Sequence, residues 1–229
     1  QLGRGEPLED TARVLSRFCD VLAVRTFAQQ ELADYAYWAS IPVINALTDL
    51  EHPCQALADF LTMQEAFGDL QGQTLTYVGD GNNVAHSLML CGALLGVNVR
   101  IACPDGFEPL PGVLDQARSL AVGGAEITVT SDPAAAATGA QALYTDVWAS
   151  MGQEQEQLER EQAFQGFCVN EELLAQADSR AIVLHCLPAH RGEEISAAVM
   201  ESSASRIFDQ AENRLHAQQA LLAALLGGL

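Results

Sequence analysis

The sequence predicts an α/β protein with parallel sheets, and three observations carry that prediction. Short apolar runs of strand length alternate with segments of helical period along the whole chain. One glycine-rich loop, Gly79-Asp80-Gly81-Asn82-Asn83, joins a strand to a helix. Polar clusters follow the strands, at the edge where open α/β sheets bind ligands.

Taken in order, Gln1-Leu2-Gly3-Arg4-Gly5 reads as loop and Pro7 opens a helix with Leu8, Ala12, Leu15 and Phe18 on one face. Val21-Leu22-Ala23-Val24 reads as a buried strand that ends at Arg25-Thr26. That arginine is either a solvated strand end or an anion ligand. Gln29 to Ser40 reads as a helix that Pro42 stops, and Pro42-Val43-Ile44-Asn45 as a strand. Pro53 suits the first position of the next helix, which puts His52 at its N-cap and Gln55 in its first turn. Free N–H groups and the helix dipole favour anions there. His52 and Gln55 either face such an anion, or simply cap the helix and face water. Gly68 ends this helix.

Thr74 to Val78 forms a strand, and Val84, Leu88, Cys91 and Leu95 line the helix after the glycine loop. The pattern approaches a dinucleotide fingerprint but has Val84 where the third glycine belongs. The strand from Val97 to Cys103 ends without the acid that would hold a ribose, so NAD binding is disfavoured. Pro111 to Ala121 is a helix, Glu126 to Thr130 a strand and Pro133 to Ala140 a short helix. Ala142 to Asp146 is a strand with Asp146 at its end. The charged stretch Glu154 to Gln165 reads as a solvated helix, and Asn170 caps Glu171 to Ala177. Ala181 to Leu184 is a buried strand that runs into His185-Cys186-Leu187-Pro188. A long C-terminal helix includes Leu215, Leu222 and Leu226.

Composition narrows the function. The 229 residues suffice for one large or two small domains, and 49% are hydrophobic, so a substantial core can form. The net charge of −19 argues against nucleic acid as a partner. All 11 basic residues are arginine, which rules out a Walker lysine, a Schiff-base lysine and a lysine base within these residues. The six cysteines are widely spaced without a Cys-x-x-Cys pair, so neither a disulfide framework nor a metal site is indicated. No run is long enough to span a membrane and no signal peptide is evident, which reads as a soluble intracellular protein.

Set together, Arg25-Thr26, His52-Pro53-Cys54-Gln55, Gly79 to Asn83, Asp146-x-x-x-Ser150-Met151-Gly152, His185-Cys186-Leu187-Pro188 and Ala211-Glu212-Asn213-Arg214 resemble the ornithine carbamoyltransferases in kind and order. The Asp-x-x-x-Ser-Met-Gly and His-Cys-Leu-Pro pieces separate that family from the aspartate enzymes. The resemblance implies two α/β domains, the second Rossmann-like. Residues 1–67 would bind carbamoyl phosphate, with the helix 209–229 packing back on them, and residues 72–205 would bind ornithine. It implies carbamoyl transfer from carbamoyl phosphate to the side-chain amine of L-ornithine, giving L-citrulline and phosphate, with no cofactor or metal. Gln1, Arg25, His52, Gln55, Cys186, Leu187 and Arg214 match the carbamoyl-phosphate contacts. Asn83, Asp146, Ser150 and Met151 match the ornithine contacts. Catalysis would rest on Arg25, His52, Cys186, Asp146 and Arg214, with Arg25 and His52 giving charged hydrogen bonds and Cys186 orienting or deprotonating the amine. A cytoplasmic homotrimer in arginine biosynthesis is the family expectation.

The family's Ser-x-Arg-Thr-Arg phosphate motif has no counterpart here. The first domain is therefore expected to be incomplete in this chain, and the polypeptide alone to be weakly active or inactive. A carbamoyltransferase for putrescine or a modified ornithine, and a non-catalytic paralogue that binds ornithine or a partner subunit, are the alternative readings.

Overall fold

The computed structural model describes residues 5–149 and 157–227. Two parallel sheets organise them. The first pairs β1 (Leu22–Arg25) with β2 (Val43–Leu47), Leu22 lying opposite Val43. Around it lie α1 (Leu8–Leu15), α2 (Gln29–Trp38) and α3 (Pro53–Phe67). The second sheet contains β3 (Thr74–Val78), β4 (Asn98–Ala102), β5 (Ile127–Thr130), β6 (Ala142–Thr145) and β7 (Ile182–His185). Its helices are α4 (Asn83–Leu95), α5 (Pro111–Leu120), α6 (Pro133–Ala137), α7 (Gln157–Ala163), α8 (Glu171–Leu174) and α9 (Ala197–Met200), and α10 (Ile207–Leu225) follows.

The second sheet has the order β5-β4-β3-β6-β7, with every pairing parallel. The chain steps outward from β3 through β4 to β5, then returns to the other side of β3 with β6 and β7. The direction reverses between β3 and β6, which opens a crevice past their C-terminal ends. The glycine loop and Asp146 lie at that reversal.

Burial on both faces explains the near-continuous apolar runs of β6 and β7. Every residue of β3, β6 and β7 is buried. Leu75, Tyr77, Tyr144 and Leu184 pack on one face against Phe60 and Met63 of α3 and Leu88 and Met89 of α4. Val78, Leu143, Val183, Phe164, Phe167 and Ile195 fill the other face. Burial of each such aliphatic or aromatic side chain contributes about 1.5–3 kcal/mol. Helix α3 thus belongs to the core of the second sheet while leading directly from the first, and α10 packs along it.

Several expectations change. Strand β1 is not a buried strand, for Ala23 and Arg25 are exposed and Leu22 and Val24 half-buried. Leu95, expected on the packed face of α4, is exposed. Phe18 lies beyond α1 and is exposed, because the helix ends at Leu15 with Ser16 as its C-cap. Helix α7 is no purely solvated surface helix, for Arg160 and the adjacent Phe164 are both buried. In α10 the buried positions are Ile207, Gln210 and Asn213, whereas Leu215, Leu222 and Leu226 are exposed. That helix docks on α3 chiefly through amides: Asn213 Nδ2 donates to Thr62 Oγ1 at 3.0 Å, and Gln210 Nε2 donates to Asp59 Oδ1 at 2.6 Å.

Candidate active site

The end of β7 sets one wall of the site. His185 is buried, and its Nδ1 accepts from the Leu187 N–H at 2.8 Å while its Nε2 meets Glu194 Oε1 at 3.0 Å. An Nδ1 that accepts carries no proton, so His185 is the neutral Nε2–H tautomer and donates to the carboxylate. Glu194 Oε1 also accepts the His190 N–H at 2.6 Å, which closes the turn on itself. Within this turn Leu187 has φ 58° and precedes a cis proline. A left-handed leucine costs about 1–2 kcal/mol, and the brace from His185 and Glu194 fixes where its carbonyl points.

Cys186 sits between those two residues. Its thiol donates to Asp146 Oδ1 at 2.9 Å. The other carboxylate oxygen, Oδ2, accepts Asn82 Nδ2 at 3.1 Å. Asn82 in turn caps α4, its Oδ1 accepting the N–H groups of Val84 and Ala85 at 2.9 and 3.2 Å. One asparagine therefore starts the helix and aims the acid across the crevice. Burial first, and then the Asp146 charge and hydrogen bond, push the Cys186 thiol well above its ordinary range. Cys186 accordingly holds its proton at neutral pH. The geometry is that of an orienting thiol, whose hydrogen-bond partner among the described residues is a carboxylate and not a cation.

The opposite wall comes from the start of α3 and from α10. His52 is the N-cap residue, but its side chain makes no capping bond. Its N–H donates to Ser87 Oγ at 2.7 Å, and its buried Nδ1 has no partner among the described residues. Burial, then Arg214, then Arg25 lower its pKa to about 4. His52 is thus a neutral donor at pH 7, not a charged one. Gln55 is buried, with Nε2 on Asp59 Oδ1 at 2.8 Å and Oε1 accepting Arg214 Nη1 at 2.8 Å. Arg25, at the end of β1, is exposed and close enough to act on His52. Arg25, His52, Gln55 and Arg214 therefore gather as two guanidiniums, a neutral imidazole and an amide, a set suited to an anion.

Asp146, His185 and Cys186 bring ligand atoms within 4.8 Å of one another, as a metal site would. Hydrogen bonds already engage those atoms, between Cys186 and Asp146 and from the group to Asn82, Leu187 and Glu194. Asn83 donates from Nδ2 to the Thr48 carbonyl at 2.7 Å and so ties α4 to the loop after β2. Gln1, Ser150 and Met151 lie outside the described residues.

Two family models match the chain in succession. Residues 1–65 match the carbamoyl-P binding domain of aspartate/ornithine carbamoyltransferases, and residues 71–225 match their Asp/Orn binding domain. The chain belongs to the aspartate/ornithine carbamoyltransferase family. Within that family it is 84% identical to an ornithine carbamoyltransferase of Parasynechococcus marenigrum (strain WH8102), over all of this chain and 72% of that protein. The ornithine carbamoyltransferase structure from Pyrococcus furiosus superimposes with a TM-score of 0.95 at 50% identity, over 100% of this chain and 74% of that one. The enzyme structure from Gloeobacter violaceus gives 0.90 at 57% identity, over 96% of this chain and 74% of that one.

This carbamoyltransferase-family site also uses residues that motif reading passes over. Asn82, Asp59 and Gln210 support the named groups from behind. The capping position before a helix is a signal for Asn82. Asp59 and Gln210 lie inside helices, and nothing local marks them as buried partners.

Proposed function

We propose that this protein transfers the carbamoyl group of carbamoyl phosphate to the side-chain amine of L-ornithine, yielding L-citrulline and phosphate. One observation carries the reading. A buried hydrogen-bond chain joins the two walls: His185 N–H to Gln210 Oε1 at 2.8 Å, Gln210 to Asp59, Asp59 to Gln55, and Gln55 to Arg214. The anion group and the Asp146–Cys186 pair are thereby held in one frame, as a two-substrate reaction requires.

In this reading residues 1–67 and α10 form the carbamoyl-phosphate half, and residues 72–205 the ornithine half. Arg25, Arg214 and neutral His52 donate to the carbonyl oxygen and phosphate, stabilising charge that grows as the amine attacks. Gln55 and the Leu187 carbonyl accept from the carbamoyl NH₂, and Gln1 completes the anion contacts. Asp146 holds the α-ammonium of ornithine, while Asn83, Ser150 and Met151 take its carboxylate. For Asn83 this means exchanging its bond to Thr48. The amine nitrogen bonds to the carbonyl carbon, the carbon–oxygen bond to phosphate breaks, and the departing phosphate takes the amine's proton. Cys186, as a thiol on Asp146, orients the amine.

The same reading places the protein in the cytoplasm, in arginine biosynthesis, as a homotrimer without a nucleic-acid or membrane partner. No helix among the described residues is long and apolar enough to cross a membrane. The exposed Phe18, Phe27 and Tyr37 of the first half suit a subunit contact. The test is citrulline formation by the intact gene product. Turnover with ornithine that Cys186→Ala or Arg25→Ala lowers by about 10²–10³ supports the reading. No turnover, or a preference for putrescine or a modified ornithine, overturns it.

A further inference from the structure

We infer that Asp59 is a positioning residue for this reaction, a single buried acceptor that sets the orientation of both Gln55 and Gln210. Its side chain is fully buried in α3, and among the described residues Gln55 is the group placed on substrate that it hydrogen-bonds. Its Oδ1 accepts two amide NH₂ groups, from Gln55 at 2.8 Å and from Gln210 at 2.6 Å.

A glutamine amide has a donor end and an acceptor end of nearly equal shape, so its neighbours decide which way it faces. A carboxylate only accepts, and therefore draws the NH₂ end of each amide. The oxygen of Gln55 is left facing Arg214 and the site, and the oxygen of Gln210 is left for the His185 N–H. A reversed Gln55 would set NH₂ against the Arg214 guanidinium. Asp59 thus orders the anion group through one amide and the strand end that carries Cys186 through the other. Its remaining oxygen and the Tyr144 hydroxyl are buried without a well-formed partner, yet that hydroxyl is close enough to favour the charged forms of both Asp59 and Cys186. Burial raises the Asp59 carboxyl to about 7, against the opposing pull of Gln55, Gln210, Tyr144 and Arg214; a proton taken up there belongs on Oδ2, so Oδ1 stays the acceptor of both amides.

The inference rests on the proposed transferase reading, so the intact gene product is assayed first with carbamoyl phosphate and ornithine. Absence of citrulline there overturns the functional reading itself. With activity in hand, Asp59→Leu removes the acceptor and Asp59→Asn keeps one. Asp59→Leu is expected to lower kcat/KM for carbamoyl phosphate about 10- to 100-fold, and Asp59→Asn to stay within about 3-fold of the parent. Parental constants in folded Asp59→Leu, with only its Tm reduced, would assign Asp59 a purely structural role and overturn the inference. Equal losses in both variants would overturn it too, because charge and not amide orientation would then matter. Gln210→Met leaves the Gln55 arm intact and gives a reading should Asp59→Leu fail to fold. A kcat lowered about 3- to 10-fold at unchanged carbamoyl-phosphate KM supports the inference, and an unchanged kcat overturns it.

Discussion

Replacing Arg160 with methionine should destabilise this protein far more than loss of a surface charge would. The Arg160 guanidinium lies 2.7 Å from Asp80 Oδ2, with both side chains at most 10% exposed. It also donates to the Trp148 carbonyl at 2.9 Å and sits 5.1 Å from the centre of the Phe107 ring. Methionine fills much of the same volume but leaves the Asp80 carboxylate buried without the Arg160 guanidinium that lies against it. Breaking a buried pair in this one-sided way costs about 3–5 kcal/mol. For a chain of this size that corresponds to a fall in Tm of roughly 6–20 °C. Calorimetry on Arg160→Met, Asp80→Leu and the double variant measures it. The double variant should recover most of the loss, because both members of the buried pair are then removed together. Asp80 belongs to the loop that carries Asn82, so the single variant should also raise the ornithine KM. A Tm within about 3 °C of the parent for Arg160→Met would refute the argument, since that is the size expected of an exposed pair.

Two further outcomes follow from the site and its loop. His52 should titrate near 4 in the free protein, against its ordinary 6.5, when its ring protons are followed by NMR. Because the folded pKa is depressed, His52 contributes stability that is complete above about pH 6.5 and is lost as pH falls toward 4, as the unfolded imidazole takes up a proton first. A midpoint above roughly 6 would mean that the ring is not desolvated as described. Gly81→Ala should lower Tm clearly, because an added Cβ would lie 2.2 Å from the Pro109 nitrogen and 2.5 Å from the Glu108 carbonyl carbon. Both obstacles are backbone, and overpacking of this kind costs about 1–3 kcal/mol. An unchanged melting curve would show that the 104–110 segment yields freely.

Local chemistry made much of the architecture readable. Pro53 and Gly68 bracket α3, and Asn82 and Gly96 bracket α4, because caps and left-handed glycines act over a few residues. Strands β6 and β7 are legible because burial on both faces leaves near-continuous apolar runs, whereas β4 and β5 carry Asn98, Arg100, Thr128 and Thr130 at partly exposed positions. What escaped depends on partners distant in sequence. Arg160 looked solvated in a charged stretch, since its partner Asp80 lies far upstream. Helix α10 misled in the same way, as its leucines are exposed while Gln210 and Asn213 are buried against α3. The protonated state of Cys186 and the neutral state of His52 were equally hidden. Both follow from desolvation, which a motif does not encode.

Helix α10 also bears on the order in which the molecule assembles. Its bonds to α3 close loops of 151 residues from Asp59 to Gln210 and of 159 from Gln55 to Arg214. Contacts at such separation carry a large chain-closure entropy and are rewarded only after the intervening sheet has formed. Since α10 is attached through directional amide bonds, a collapsed but misregistered chain gains little from docking it. By contact order, the arginine at position 214 is expected to reach the site late in folding. A newly made polypeptide can hold a complete Cys186–Asp146 pair while its anion group is still unassembled, so recovered activity reports the final step of refolding and not the formation of the sheet.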